Sequence, residues 1–142
     1  MSKGTDFVNK WMDAVKRGDL EALVGMSHPD AVHLSLGETY RGAQGVRTLF
    51  KPIIDASSER EVQINHVTES GDTVVVEFDF RFKNTGPFVT PQGALPRTDK
   101  SVSLASIAVY ELRDDKLAGS RGMFDRLDLM TQLGLLGQPI HS

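Results

Sequence analysis

Apolar residues at the start of the chain recur with the spacing of one helix face. After Thr5, which can cap a helix, Phe7 is followed by Trp11, Ala14 and Val15 at four, seven and eight residues along. Gly18 is typical of a helix end, and Asp19 can cap a short second helix. The segment 28–30, His-Pro-Asp, interrupts the pattern before a predicted strand over 31–36. A third helix is then predicted from its apolar positions Val46, Leu49, Phe50, Ile53 and Ile54.

The apolar period changes to that of a strand after position 58. Strands are predicted over 61–67, 73–83, 101–112 and 116–124, with turns between them and a short Leu-rich helix after them. The strand 73–83 alternates Val and Phe with charged residues, so one face is apolar and the other polar. Alternation does not tell which face meets the interior of the domain.

This order of elements predicts an α+β domain that spans residues 1–142. Helices separate from hairpins pack on one face of a curved antiparallel sheet and leave one large concavity. We expect the following residues to form a slot there for a planar ligand: Trp11, Phe50, Phe78, Phe80, Phe82, Phe124 and Met123. Alternatively, these side chains only pack the core. The segment 84–98, rich in Pro and Gly, is predicted to be a long loop that serves as a mobile rim or lid.

Composition narrows the function classes. The chain has no cysteine, which excludes disulfides and thiolate chemistry. Its formal charge of −3 does not favour binding to nucleic acid. No apolar run is typical of a membrane-spanning helix or a signal peptide. We therefore expect a cytoplasmic protein. The four histidines lack the spacing of a helical metal pair, so neither a metal nor another cofactor is expected.

Asp125 is the principal candidate for chemistry. It stands where the last predicted strand passes into the last helix, and two interpretations remain open. It can be the N-cap of that helix. It can also be a carboxylate at the mouth of an apolar cavity, where exclusion of water suits it to proton transfer.

The segment around Asp125 resembles that of the SnoaL-like polyketide cyclases. The resemblance rests on Phe-Asp-Arg-Leu-Asp-Leu at 124–129 and Gln-Leu-Gly at 132–134, with Asn-Thr-Gly at 84–86 in support. It implies a cone-shaped fold like that of nuclear transport factor 2, without a cofactor. It further implies that Asp125 is the acid/base of an intramolecular aldol ring closure on a polyketide-like small molecule. Many members of the family have histidine near position 84 and Glu-His-Trp in the last strand, where this chain has Asn84 and, at 119–121, Gly-Ser-Arg.

Further candidates accompany Asp125. His33, Tyr40 and Arg121 can donate hydrogen bonds to a developing oxyanion, or Arg121 can hold the Asp125 carboxylate ionised. The closing strand is also similar to that of limonene-epoxide-hydrolase-like enzymes, and this alternative needs a second cavity carboxylate, Asp79 or Glu77. A third possibility is a non-catalytic binding or dimerisation module. The apolar positions Ala105, Ile107 and Val109 predict a homodimer or homotetramer.

Overall fold

A computed structural model describes residues 2–90 and 93–135. The helices are α1 (Lys3–Arg17), α2 (Leu20–Gly25), α3 (Gly42–Ala56) and α4 (Arg126–Gln132). The strands are β1 (Ser27–Ser35), β2 (Glu38–Arg41), β3 (Ser57–Ser70), β4 (Thr73–Asn84), β5 (Phe88–Thr90), β6 (Gly93–Leu95), β7 (Ser101–Arg113) and β8 (Lys116–Phe124). The α+β class is confirmed. No helix within the described ranges is long and apolar enough to cross a bilayer.

Local sequence accounts for the end of α1 and the start of α2. Gly18 ends α1 with a positive φ of 66°, which favours glycine, and its N–H bonds back to the helix. Asp19 caps α2 by accepting a hydrogen bond from the backbone N–H of Ala22 at 3.0 Å. The helix α1 begins at Lys3, so the prediction that Thr5 caps it was wrong; Ser2 holds the capping position.

The main sheet has six strands in the order β2-β1-β8-β7-β4-β3. β3, β4, β7 and β8 form the predicted antiparallel meander, but β1 pairs with β8 in parallel. The sheet is therefore mixed, and the expectation of a purely antiparallel sheet was wrong. Between β1 and β8 the chain passes through α3 and the other strands of the meander. These two neighbouring strands are therefore joined by a crossover and not by a hairpin. The predicted interruption around Pro29 is a shift in the β1–β8 register between Ser27 and Val32.

The segment 84–98 is not a plain loop, because β5 and β6 form a small hairpin within it. Asn84 is fully buried at its base. Its Nδ2 donates to the carbonyl oxygens of Ala56 at 3.0 Å and Gly86 at 2.8 Å. Its Oδ1 accepts from the backbone N–H of Thr98 at 2.9 Å. This side chain therefore ties both ends of the segment to the end of α3.

The inner face of the sheet carries the core. In β4, Val74 and Val76 belong to one apolar cluster with Trp11 of α1, while Phe80 and Phe82 belong to a second with Leu129 of α4. The charged side chains of β4 lie on the outer face, as alternation requires. That face also carries the outer apolar patch, which consists of Ala105, Ile107, Val109 and Met123. The predicted loose tail at 136–142 lies outside the described residues.

Candidate functional site

A cavity of about 160 Å³ lies between the inner face of the sheet and the helices α1 and α3. Apolar and aromatic side chains dominate its wall. All seven residues expected to form the ligand slot line it: Trp11, Phe50, Phe78, Phe80, Phe82, Met123 and Phe124. The apolar face of β4 is therefore the face that meets the cavity.

Ring packing shapes this wall. Phe80 and Phe82 stand two residues apart on β4, and their ring centroids are 5.2 Å apart. The Phe88 ring, from the β5–β6 hairpin, meets Phe82 edge to face at 6.1 Å and closes one side of the cavity. On the other side, Trp11 and Phe50 meet edge to face at 5.7 Å. Phe88 is not among the expected lining residues, because it falls in the segment that was predicted to be a loop.

Small residues on adjacent strands keep the cavity open. Gly122 of β8 and Ala108 of β7 are paired in register, and both line the wall. A Cβ added at Gly122 would meet no other atom within 4 Å. The space above Gly122 is therefore open because this residue has no side chain.

A few polar groups line the otherwise apolar wall. They are Ser35, Arg60, Ser106, Tyr110 and Ser120. The Arg60 guanidinium donates to the carbonyl oxygens of Lys16 at 3.1 Å and Ser57 at 2.7 Å, near the ends of α1 and α3. In the described part of the chain no carboxylate belongs to the lining. A carboxylate that acts as acid or base must therefore do so from outside this lining.

Asp125 is the carboxylate next to this wall in the chain. It follows the lining residue Phe124 directly and is the N-cap of α4, where its Oδ1 accepts from the backbone N–H of Asp128 at 3.1 Å. The side chain is exposed to solvent and does not line the cavity. The cap interpretation is confirmed, and the desolvated-carboxylate interpretation is wrong because the side chain is exposed. A catalytic role for Asp125 stays a prediction.

The structure separates Arg121 from Asp125. Arg121 is exposed on the outer face of β8, where it forms an ion pair with Glu111 of β7 at 3.3 Å. It therefore neither lines the cavity nor holds the Asp125 carboxylate, and that expectation was wrong because its side chain lies on the outer face of the sheet. Met123, two positions farther along and mostly exposed, still belongs to the cavity lining. Glu77 and Asp79 likewise lie outside the cavity lining, so the second carboxylate needed for epoxide opening is missing there.

His33 and Tyr40 are paired across β1 and β2, and neither lines the cavity. His33 is fully buried behind the wall, and its Nδ1 lies 2.8 Å from Oγ of the lining residue Ser120. Burial lowers the pKa of the His33 ring below its usual value, so the imidazole is neutral at neutral pH. Tyr40 is half-buried on the edge strand, with its backbone against Gly45 of α3.

The described residues include no group of three or more His, Asp or Glu side chains that could hold a metal ion. A second, open depression of about 710 Å³ lies between the start of α1 and the hairpin turns. Its lining includes Glu69, Asp72, Asp114 and Asp115, and Lys3 pairs with Asp115 across it at 3.5 Å. Exposed charges of this kind do not suit an apolar ligand, so the aromatic cavity is the candidate site.

Solved structures share this architecture. TsrD from Streptomyces laurentii is 22% identical, with a TM-score of 0.81 over 94% of this chain and 96% of that chain. A protein named a SnoaL-like polyketide cyclase, from Jannaschia sp. CCS1, is 19% identical, with a TM-score of 0.82 over 96% and 94%. An epoxide hydrolase from M. tuberculosis, like limonene epoxide hydrolase, is 19% identical, with a TM-score of 0.71 over 92% and 89%. At these identities the likeness shows the fold alone.

The sequence itself matches no curated protein. Residues 8–120 do match the model of a domain family, the SnoaL-like domain. That range runs from the first turns of α1 to Ser120 in β8, so it includes most of the elements that enclose the aromatic cavity. The fold, the cavity and this match together place the chain: it belongs to the SnoaL-like domain family.

Proposed function

We propose that the protein binds a planar, polyketide-like small molecule in the aromatic cavity and promotes its intramolecular aldol ring closure without a cofactor, with Asp125 as acid/base. The observation that carries the proposal is the cavity itself. Its walls are largely aromatic and it is open above Gly122. The small number of polar groups in its wall can fix the orientation of a ligand. Sites of this composition suit flat apolar ligands.

The cavity volume limits how such a ligand lies. An apolar cavity of about 150 Å³ in another protein accommodates benzene. The 160 Å³ here therefore accepts one end of a polycyclic molecule, and the remainder must extend through the mouth. Met123, 70% exposed, borders that mouth, and Asp125 stands two positions farther along the chain. The reacting part of a long substrate is thus expected at the rim, where Asp125 lies.

The proposed reaction needs only a weak base. Asp125 would take a proton from a carbon flanked by two carbonyls, leaving an enolate. The enolate carbon attacks a carbonyl carbon of the same molecule, a carbon–carbon bond forms, and the alkoxide takes the proton back from Asp125. Such carbons are acidic enough for an ordinary carboxylate, so holding the two ends together supplies much of the rate.

Ligand binding without catalysis is the second candidate function. It is favoured by the absence of a carboxylate from the described cavity lining and by the exposure of Asp125. Epoxide opening has less support, because it needs two carboxylates in the cavity.

Binding is tested through Trp11, the single tryptophan of the chain, which lines the cavity and is 2% exposed. Planar polycyclic ketones should change its fluorescence saturably. Gly122→Val places a side chain in the open space and should abolish the change while keeping a strand-forming residue. Ser103→Val is the matched control, because it adds the same side chain to an exposed position of β7. Equal binding by Gly122→Val would contradict this site.

Mass spectrometry then separates the chemistries. After incubation with a β-polyketone ester, ring closure leaves the mass unchanged or lowers it by one water or alcohol. Incubation with an epoxide raises the mass by one water if hydrolysis occurs. A protein that binds the ketones but changes neither substrate is a binding module, and the ring-closure proposal would then be wrong.

A further inference from the structure

Two hydroxyl groups face the cavity from neighbouring strands. Tyr110 of β7 and Ser120 of β8 are partners in the antiparallel register, and both line the wall. Side chains of such partners stand on one face with Cβ atoms roughly 5 Å apart. Both residues therefore present a hydroxyl group to the same cavity, in a wall that is otherwise mostly apolar.

A buried histidine fixes the Ser120 hydroxyl. Nδ1 of His33 lies 2.8 Å from the Ser120 Oγ, whereas Nε2 of His33 is buried without a partner. An unpartnered N–H is rarer in protein interiors than an unpartnered acceptor. We therefore assign the proton to Nδ1, which donates to the Ser120 oxygen. The hydroxyl hydrogen of Ser120 is then left to point into the cavity.

The Tyr110 hydroxyl is arranged in the same way. The Trp11 ring lies beside Tyr110, with ring centroids 6.0 Å apart, and its indole N–H, which can only donate, lowers the pKa of the phenol. Burial raises the pKa of Tyr110 well above its ordinary value, so the phenol keeps its proton. A buried ring N–H thus acts on each hydroxyl oxygen, which leaves both hydroxyl hydrogens for a ligand.

Ser106 provides a contrast within the same wall. Its hydroxyl donates to the carbonyl oxygen of Leu104 on its own strand at 3.3 Å. The Ser106 hydrogen is therefore already used, although the residue lines the same cavity.

We propose that the hydroxyls of Ser120 and Tyr110 form a donor pair that binds one carbonyl or enolate oxygen of the ligand. The proposal rests on the proposed function insofar as the cavity must bind a planar molecule. It adds that the end of the ligand inside the cavity carries an oxygen acceptor. In a ring closure this pair would stabilise the negative charge on that oxygen, because fixed donors in a water-poor site need no rearrangement.

The test compares two probes of nearly equal shape, acetylnaphthalene and ethylnaphthalene, by equilibrium dialysis. Only the ketone can accept a hydrogen bond. The measured quantity is the ratio of the two affinities within each variant, which cancels changes in cavity shape or folded fraction. Ser120→Ala and Tyr110→Phe should each lower the ketone-to-hydrocarbon ratio by roughly three- to tenfold, as expected for one lost hydrogen bond. Ser103→Ala, at an exposed position of β7 outside the cavity lining, is the control and should leave the ratio unchanged.

Infrared spectroscopy of an isotope-labelled ketone gives a second readout, and its first measurement needs only the wild-type protein. In the wild-type protein the bound carbonyl should absorb at a lower frequency than in an apolar solvent, and Ser120→Ala or Tyr110→Phe should reverse part of this shift. A wild-type frequency equal to that in the apolar solvent overturns the donor pair. Unchanged ratios in both variants do the same. If neither probe binds the wild-type protein, the cavity proposal itself fails, which is a different result.

Discussion

Replacing Asp125 by asparagine separates catalysis from capping. The asparagine side chain keeps the oxygen that accepts from the Asp128 N–H, and asparagine is about as good an N-cap as aspartate. Only the charge at the start of the seven-residue helix α4 is lost, which costs about 0.3–1 kcal/mol at an exposed site. The free energy of unfolding should therefore fall by less than ~1 kcal/mol. Loss of the general base should lower turnover by roughly 10²–10⁴-fold.

Asp125→Ala is a poorer test, because it removes the cap as well. Losing a cap costs about 1 kcal/mol, which lowers the melting temperature by roughly 4 °C in a domain of this size. Two residues that follow the cap, Leu129 and Leu133, are buried in the cluster that contains Phe80. Fraying of α4 would therefore disturb the cavity wall, and lost turnover in this variant would have two causes.

Asp128→Asn is the matched control for charge. Asp128 stands on the same first turn, and its Oδ2 accepts from Nε2 of Gln132 at 2.9 Å. An amide oxygen can replace that acceptor, so turnover should stay near the wild-type value. Turnover is followed by mass spectrometry and stability by thermal melting. Full turnover in Asp125→Asn, together with a lower melting temperature in Asp125→Ala, would mean that Asp125 is only a cap and the proposed acid/base role is wrong.

The outer apolar patch, where Ile107 is 45% exposed, predicts a homodimer or homotetramer, and a 15.6 kDa monomer in sedimentation at micromolar concentration would refute this. The segment 84–98 is predicted to close over a bound ligand because Phe88 lines the cavity, so hydrogen exchange in β5 and β6 should slow on binding; equal exchange contradicts a lid. Burial lowers the pKa of His33, so the unfolded chain binds a proton more readily than the folded one. Stability should be fully present above about pH 6.5 and fall at lower pH, with a slope of at most about 1.4 kcal/mol per pH unit. In urea titrations His33→Gln should flatten this slope, and an unchanged slope would exclude His33 as its source.

The sequence alone determined the local structure and the composition of the site. Period and capping residues located the helices, Gly18 and Asp19 marked two of their ends, and alternation in β4 sorted Phe from charged residues. These features depend on contacts within a few residues, so a pattern suffices to find them. The large apolar residues expected to line the cavity were also found from the sequence, because apolar side chains of strands and helices must pack against each other.

Only the tertiary structure decided which groups stand beside one another. Alternation divides a strand into two faces but does not say which one the helices cover. In the structure the helices cover the face opposite Arg121, which therefore lies on the outer face. The parallel pairing of β1 with β8 joins segments more than 80 residues apart and thereby places His33 behind Ser120. The β5–β6 hairpin likewise brings Phe88 to the cavity. Such long-range pairings are fixed by the packing of the whole sheet, which leaves no local signal in the chain to predict them.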